Sequence, residues 1–365
     1  MKLSEIINVL EKFAPLSLQE NYDNSGLLTG NSEMEITSAL LTLDCTEEII
    51  DEAIATNCNL IIAHHPIIFS GLKKINGKNY VERTIIKAIK NDIAIYAAHT
   101  NLDNVQHGVN KIIADKLGLQ NTKILSPKKQ LLKKLFTFVP NNNADEVRNA
   151  LFEAGSGHIG NYSEASFNTQ GFGTFKPNEN ANPSIGETGI RHREEEVKVE
   201  VLFPAWNENK ILKALFESHP YEEVAYDIVP LDNQFQNMGA GMVGELTFEM
   251  DEKNFLQHIK KNMKAEVIRH TSFLNQPITK VAVCGGAGSF LLNDAINSGA
   301  QVFITADFKY HEFFDAEKKI LICDIGHYET EQFTPLIFAQ LLKESLPTFA
   351  PHFSKTNTNP IKYFH

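Results

Sequence analysis

The chain has 365 residues, of which 42% are hydrophobic and 22% charged, and its formal net charge is −11. That composition is long and apolar enough for two or three packed domains, and it excludes a disordered or collagen-like chain. The acidic balance opposes nucleic-acid binding, which calls for a basic face, and the one basic cluster, "KKQLLKK" at 128–134, reads as solvated surface.

In chain order, residues 1–20 form an amphipathic helix that stops near Pro15, followed by "NYDNSGLLTG" (21–30), a loop of turn formers. "ITSALLTLD" (36–44) is a strand, and "TEEIIDEAIATN" (46–57) is a helix with Thr46 at the N-cap and acids in its first turn. "NLIIAHHPIIF" (59–69) drives a buried strand into two histidines and a proline, which cannot continue a central strand. A helix near 81–90, the strand "IAIYAAHT" (93–100) and a helix over about 109–117 follow. Strands alternating with helices predict a mostly parallel sheet covered on both faces.

From about Lys133 the texture changes. "KLFTFVP" and "EVKVEVLFP" alternate as half-buried strands do, "NKILKALFESHPYEEVAYDIVPL" reads as helix, turn and strand, and the stretch from Gly155 to Gly189 is dense in Gly, Asn, Pro and Ser. We therefore expect an inserted domain at 127–237 between core lobe 1 (1–126) and core lobe 2 (238–365), where the α/β rhythm returns. No stretch reaches the ~20 apolar residues that span a bilayer. The first residues carry no signal-peptide pattern. Cys45, Cys58, Cys284 and Cys323 form no CxxC and read as small buried hydrophobes, so a cytoplasmic protein is expected.

Ligands of open α/β sheets bind beyond the carboxyl ends of the strands. Of thirteen histidines, five fall just after predicted strands: His64, His65, His99, His311 and His327. Asp103, Asp307, Asp324 and Glu331 accompany them. One strand-end histidine is usually structural, but several converging with carboxylates suggest a metal centre. His327 and Glu331 stand four apart at a helix start and so share a face, although a helix-terminal acid with a capping partner has the same spacing. Neighbouring side chains on an extended backbone diverge, so His64 and His65 either serve two ions or divide into one ligand and one structural residue. The donors are nitrogen and oxygen without thiolate, which suits zinc, manganese, iron or nickel. Diverging histidines with carboxylates able to bridge favour a pair of ions ~3.5–4 Å apart, a constellation used for hydrolysis.

Two other motifs compete. "CGGAGS" follows a strand, but Phe290 and Leu291 stand where the third glycine of a dinucleotide fingerprint belongs, so the loop reads as one that lets a backbone approach closely. "HPYEEVAYD" (219–227) offers His219, Glu222 and Glu223, and reads more simply as the exposed turn of a small α/β domain.

Taken together, "NYDNSGLL", "AHHPIIF", "HTNLDN", "ITADFKYHEFFDA" and "DIGHYETE" resemble the signature blocks of the GTP cyclohydrolase 1 type 2 homologue family, the Ngg-interacting-factor-three-like proteins, over nearly all of the core. The resemblance implies an α/β fold with a two-lobed core of mixed sheets flanked by helices and an inserted α+β PII/CutA-like domain bearing the "HPYEE" turn. It also implies two divalent ions per chain, with zinc expected first and iron or manganese as alternatives. His64 and His65 would bind one ion each, Asp103 joining His65, His327 joining His64, and Glu331 bridging. A homohexamer is implied as well. The function expected is a metal-dependent hydrolase of purine nucleotides, GTP cyclohydrolase-like, with His99 and His311 as proton carriers or as groups that orient the ligands. The alternative is a metal-dependent regulatory scaffold without turnover, its insert sensing a small molecule or docking a partner.

Overall fold

The computed structural model describes residues 1–364. Helix Leu3–Phe13 buries Leu3, Ile6 and Leu10. The first sheet is then laid down by β1 (Gly26–Thr29), β2 (Ala39–Thr42), β3 (Leu60–Ala63) and β4 (Ala94–Ala97). Strands β2, β3 and β4 are buried at every residue and pair in parallel, Ala39 opposite Leu60 and Leu60 opposite Ala94. A continuous apolar run is what a strand covered on both faces needs. Helices Glu47–Ala55 and Tyr80–Lys90 carry the chain back between them and pack Ile49, Ile50, Ala53, Ile85 and Ala88 against Leu40, Ile61 and Ile95. Thr46 occupies the N-cap position of the first of these, but its side chain makes no capping bond.

Strand β5 (Leu119–Pro127) leads out of the lobe. Lys128–Phe235 form a compact unit of their own, and Met1–Pro127 with Gln236–His365 form the other. In the smaller unit, β6 (Leu132–Pro140), helix Ala144–Glu153, β7 (Ser166–Phe175), β8 (His192–Pro204), helix Glu208–Ser218 and β9 (Tyr226–Leu231) follow in βαββαβ order. The sheet is antiparallel with spatial order β7-β8-β6-β9, a ferredoxin-like split βαβ. Leu135, Val139, Val197, Val199 and Val201 meet Val147, Leu151, Ile211 and Leu215 of the two helices on one face. Alternation puts Phe136, Phe138, Glu196, Lys198 and Glu200 on the other.

The larger unit resumes with β10 (Gly239–Met250), β11 (Arg269–His270), β12 (Ile278–Ala287), β13 (Val302–Ala306), β14 (Leu321–Asp324) and β15 (His352–Phe353). Its second sheet has the order β11-β14-β13-β12-β10-β5, and β15 completes the first as β1-β4-β3-β2-β15. The expectation of mostly parallel sheets holds at their centres. The flanking β1, β5, β10 and β11 pair antiparallel, a pairing that needs no crossover helix. Among the described residues no helix is long and apolar enough to cross a membrane. All four cysteines are free and buried.

Candidate metal centre

The parallel strands of each sheet hand over to polar turns at their carboxyl ends. After β3, the amides of both His64 and His65 donate to the Leu43 carbonyl (3.0 and 2.9 Å), which fixes the turn before Pro66. Each imidazole is then held from behind through Nδ1. His64, fully buried, donates to the Ala98 carbonyl at 2.8 Å, and His65 donates to Asp44 Oδ1 at 2.7 Å. His99, after β4, donates to Asp23 Oδ1 at 2.7 Å, and Asp23 also accepts from the Thr100 amide. His327 opens the helix His327–Glu331 behind Gly326, whose φ of +100° favours glycine, and it donates to Asp307 Oδ2 at 2.6 Å. A carboxylate or carbonyl behind a histidine fixes the tautomer and aims Nε2 forward, the usual support of a metal-binding imidazole.

In front of these rings the acceptor atoms gather in two sets that share one carboxylate. His64 Nε2 lies 3.6 Å from Asp103 Oδ1 and 3.8 Å from Glu331 Oε1. His65 Nε2 lies 2.9 Å from Glu331 Oε2, His327 Nε2 lies 3.0 Å from the same oxygen, and the two Nε2 atoms are 3.3 Å apart. Ligands of one tetrahedral ion at ~2.1 Å stand about 3.4 Å from one another, so these spacings suit one ion per set. His64 Nε2 and Asp103 Oδ1 are buried without a hydrogen-bond partner among the described residues. Because Nδ1 of His64 is already spent on Ala98, its Nε2 lone pair faces two carboxylate oxygens, an arrangement that needs a cation to balance it. His99 extends the cluster, its donor atom grouping with those of His64 and His65.

The charges of the metal-free centre follow from the same contacts. Burial opposes charge on His65 and His327, but the Glu331 carboxylate, with Asp44 and Asp307 behind, overrides it and pushes their pKa values up to about 10 and about 11. Burial pushes Asp103 up to about 7, and the facing Glu331 adds to the rise. Burial also acts to raise Glu331, yet the two imidazolium groups hold it well below the usual carboxylate range. Protons thus occupy the positions a divalent cation would take over.

The centre lines a cavity of about 630 Å³. Tyr22, Phe69 and Phe290 stand at its wall, 65%, 51% and 69% exposed. The glycine loop forms another part of that wall. Gly286 has φ +60°, and a Cβ there would lie 2.5 Å from Glu331 Oε1 and 3.2 Å from His327 Cε1. The glycines of "CGGAGS" therefore let the backbone close on the shared carboxylate, and Asn110 ties the loop to the ligand turn by accepting from the Gly285 amide and donating to the Asp103 carbonyl.

The structure brings His64, His65, His99, Asp103, His327 and Glu331 together. It corrects the pairing drawn from the family resemblance: Asp103 groups with His64 and His327 with His65. The reason is ring orientation, since His64 turns into the fold toward the helix Thr100–Asp103 and His65 turns toward the second lobe. His311 is not brought to the cluster. It is exposed on the turn Tyr310–Ala316, its ring against Tyr310 and Phe314. Asp324 is spent on the Phe308 amide and Arg269. Asp44, Asp23 and Asp307 support the imidazoles, a role that the strand-end rule does not assign to them. Asp44 also ends a predicted strand, so the strand-end rule that selected His64 reaches it too.

The family model described as Duf34/NIF3 (NGG1p interacting factor 3) matches residues 1–360. A protein of Halalkalibacterium halodurans named GTP cyclohydrolase 1 type 2 homolog is 44% identical over 324 residues, 88% of this chain and 87% of its own length. The Bacillus subtilis protein of the same name is 42% identical over 326 residues, 89% and 87% of the two chains. The crystal structure of a Bacillus cereus protein related to NIF3 superposes with a TM-score of 0.88 at 41% identity, covering 100% of this chain and 99% of that one. With a family match over nearly its whole length, close relatives and a shared fold, the chain belongs to the Duf34/NIF3 family.

Proposed function

We propose that the centre holds two divalent ions, His64 and Asp103 on one, His65 and His327 on the other and Glu331 across both, and that the chain is a hydrolase of purine nucleotides, as the name of its relatives suggests. The observation that carries this reading is the buried convergence of His64 Nε2, Asp103 Oδ1 and Glu331 Oε1 with no donor among them. Zinc is the metal we expect, with iron or manganese as alternatives, because the donors are imidazole and carboxylate.

Bound there, such a pair supplies Lewis acidity and an acidified water for hydrolysis. The protein does the rest. Three protein ligands per ion leave room for water or substrate, the pattern of a catalytic rather than a structural site. Asp23 holds the Nδ1 proton of His99, so that Nε2 is the nitrogen available to carry a proton in the cavity. The exposed rings of Tyr22, Phe69 and Phe290 offer faces against which a heterocyclic base can stack. The βαββαβ order of the insert supports reading it as PII/CutA-like, and a homohexamer is the assembly proposed, which native mass spectrometry checks directly.

The test is formate release from GTP, the product expected if water attacks C8 of the purine. Zinc-, iron- or manganese-loaded wild type is expected to release formate, and Glu331→Ala to release none. Two tightly held ions without turnover of GTP or other purine nucleotides would move the assignment to a metal-dependent scaffold.

A further inference from the structure

Two motifs are left unused by the metal centre, the Gly/Asn/Pro/Ser-rich stretch and the "HPYEE" turn, and both lie in the insert. They meet around one cavity of about 730 Å³ on the face of the insert's sheet opposite its helices. The floor is β7 and β8, where Gly171 and Gly173 leave space that side chains would fill. A Cβ at Gly173 would lie 2.2 Å from Glu196 Oε2, whereas Gly171 has open space above it. The loop 176–185 folds over this floor and is tied to the turn by the Asn182 amide, which donates to Glu222 Oε1 at 2.8 Å. Phe138, Phe175 and Tyr221 supply aromatic walls.

Glu196 is the polar group the cavity is built around. It is only 7% exposed, and Tyr221 Oη donates to its Oε1 at 2.9 Å. His219 fixes that tyrosine: its Nδ1 accepts from the Tyr221 amide at 3.1 Å and its Nε2 donates to the Phe138 carbonyl at 3.0 Å. The second carboxylate oxygen, Oε2, accepts no hydrogen bond from the described residues and is open to the cavity. A carboxylate oxygen facing a largely apolar cavity favours a donor or a positive charge there. Two lysines line the cavity: Lys198 on the floor is paired with Glu200 at 2.9 Å and lies over the Phe136 ring, and Lys176 at the start of the loop is exposed. Glu222 and Glu223 line the cavity with Glu196, so its acids outnumber its two lysines, which disfavours a phosphate or a nucleotide. Apolar walls and a single available oxygen disfavour a bare metal ion, which takes several oxygen ligands.

We propose that this cavity binds a small organic cation, an amidinium or ammonium group on a flat apolar body, with the charged group on Glu196 and the body against Phe138, Phe175 and Tyr221. Aromatic faces add attraction for a cation in such a pocket. The site shares no lining residue with the cavity of the metal centre.

The experiment is calorimetric titration of the full-length, zinc-loaded protein with benzamidinium, and with its neutral analogue benzamide. Benzamidinium is expected to bind at least about tenfold more tightly than benzamide, in keeping with a hydrogen bond to a buried charge. Glu196→Gln is expected to abolish that preference, and Phe175→Ala to weaken both probes alike. Glu195→Gln, altered at an exposed acid on the same strand, is expected to change nothing. Equal binding of the two probes, no binding of either, or a preference for benzamidinium that survives Glu196→Gln would each overturn the proposal. Thermal unfolding of each variant, followed at Trp206 within the insert, separates loss of binding from loss of fold.

Discussion

The two units of the chain organise polar side chains in opposite ways. In the larger unit, β3 and β4 end on one side with His64, His65 and His99, and the helix after β14 supplies His327 and Glu331. Within each of its two sheets the parallel strands share a carboxyl end, and the polar turns of both sheets meet, so that His65 reaches Glu331 across 266 positions. The insert's sheet is antiparallel and has no common end. Its polar groups are spread over a face, where Glu194, Glu196, Lys198 and Glu200 alternate with core positions along a single strand. The first arrangement concentrates acceptors until a cation is needed. The second builds a broad cavity around one carboxylate.

The sharpest way to break this contrast is to remove the residue that joins the two acceptor sets. Glu331→Ala is expected to lose both ions, because each set depends on one of its oxygens, whereas a residue serving one set costs one ion. His64→Ala and Asp103→Asn should then lose the same ion, and combining them should lose no more, while His64→Ala with His327→Ala should empty the centre. Metal content per chain checks each variant, and the opposite pattern of non-additivity would restore the pairing implied by resemblance.

Next in size is the support behind the imidazoles. Asp44→Asn and Asp307→Asn, which leave every ligand in place, are expected to lower metal affinity by about 10- to 100-fold in competition with a chromogenic chelator. Acidification should act the same way. His65 and His327 hold protons up to about pH 10 and 11 in the metal-free chain, so an ion must displace them, and affinity should rise with pH. Proton release on adding zinc to weakly buffered protein measures this directly. Gly286→Ala should cost about 1–2 kcal/mol of stability from its left-handed backbone, and should also weaken metal binding by pressing on Glu331.

The smallest effect expected is confined to the insert. Burial holds His219 below its ordinary pKa, against the pull of its bond to the Phe138 carbonyl. A histidine kept neutral in this way contributes stability above about pH 6.5 and loses it as the pH falls below that value. The denaturation midpoint seen by Trp206, the only tryptophan, should therefore drop between pH 7 and 5, and His219→Gln should flatten that dependence.

Much of this centre was readable before any coordinates. The run "LIIAHHP" states a buried strand, its end and two imidazoles in seven letters, and "HYETE" places His327 and Glu331 on one helical face. What could not be read depends on rotation and distant contact. The pairing of ligands turns on which way each ring faces, and the supports join residues 21, 76 and 20 positions apart through single hydrogen bonds. His311 fits the strand-end rule and still lies outside the cluster, because Asp307, at φ +58°, is the residue that its turn presents to His327. The glycine loop was legible as a close approach but not as an approach to Glu331, since nothing local in "CGGAGS" names its neighbour.

The most direct test of the central claim is plasma mass spectrometry of metal per chain, for wild type and Glu331→Ala purified without chelators. A two-ion centre with a shared carboxylate predicts about two ions in the wild type and close to none in the variant. One ion or none in the wild type, or a content unchanged by Glu331→Ala, would contradict it.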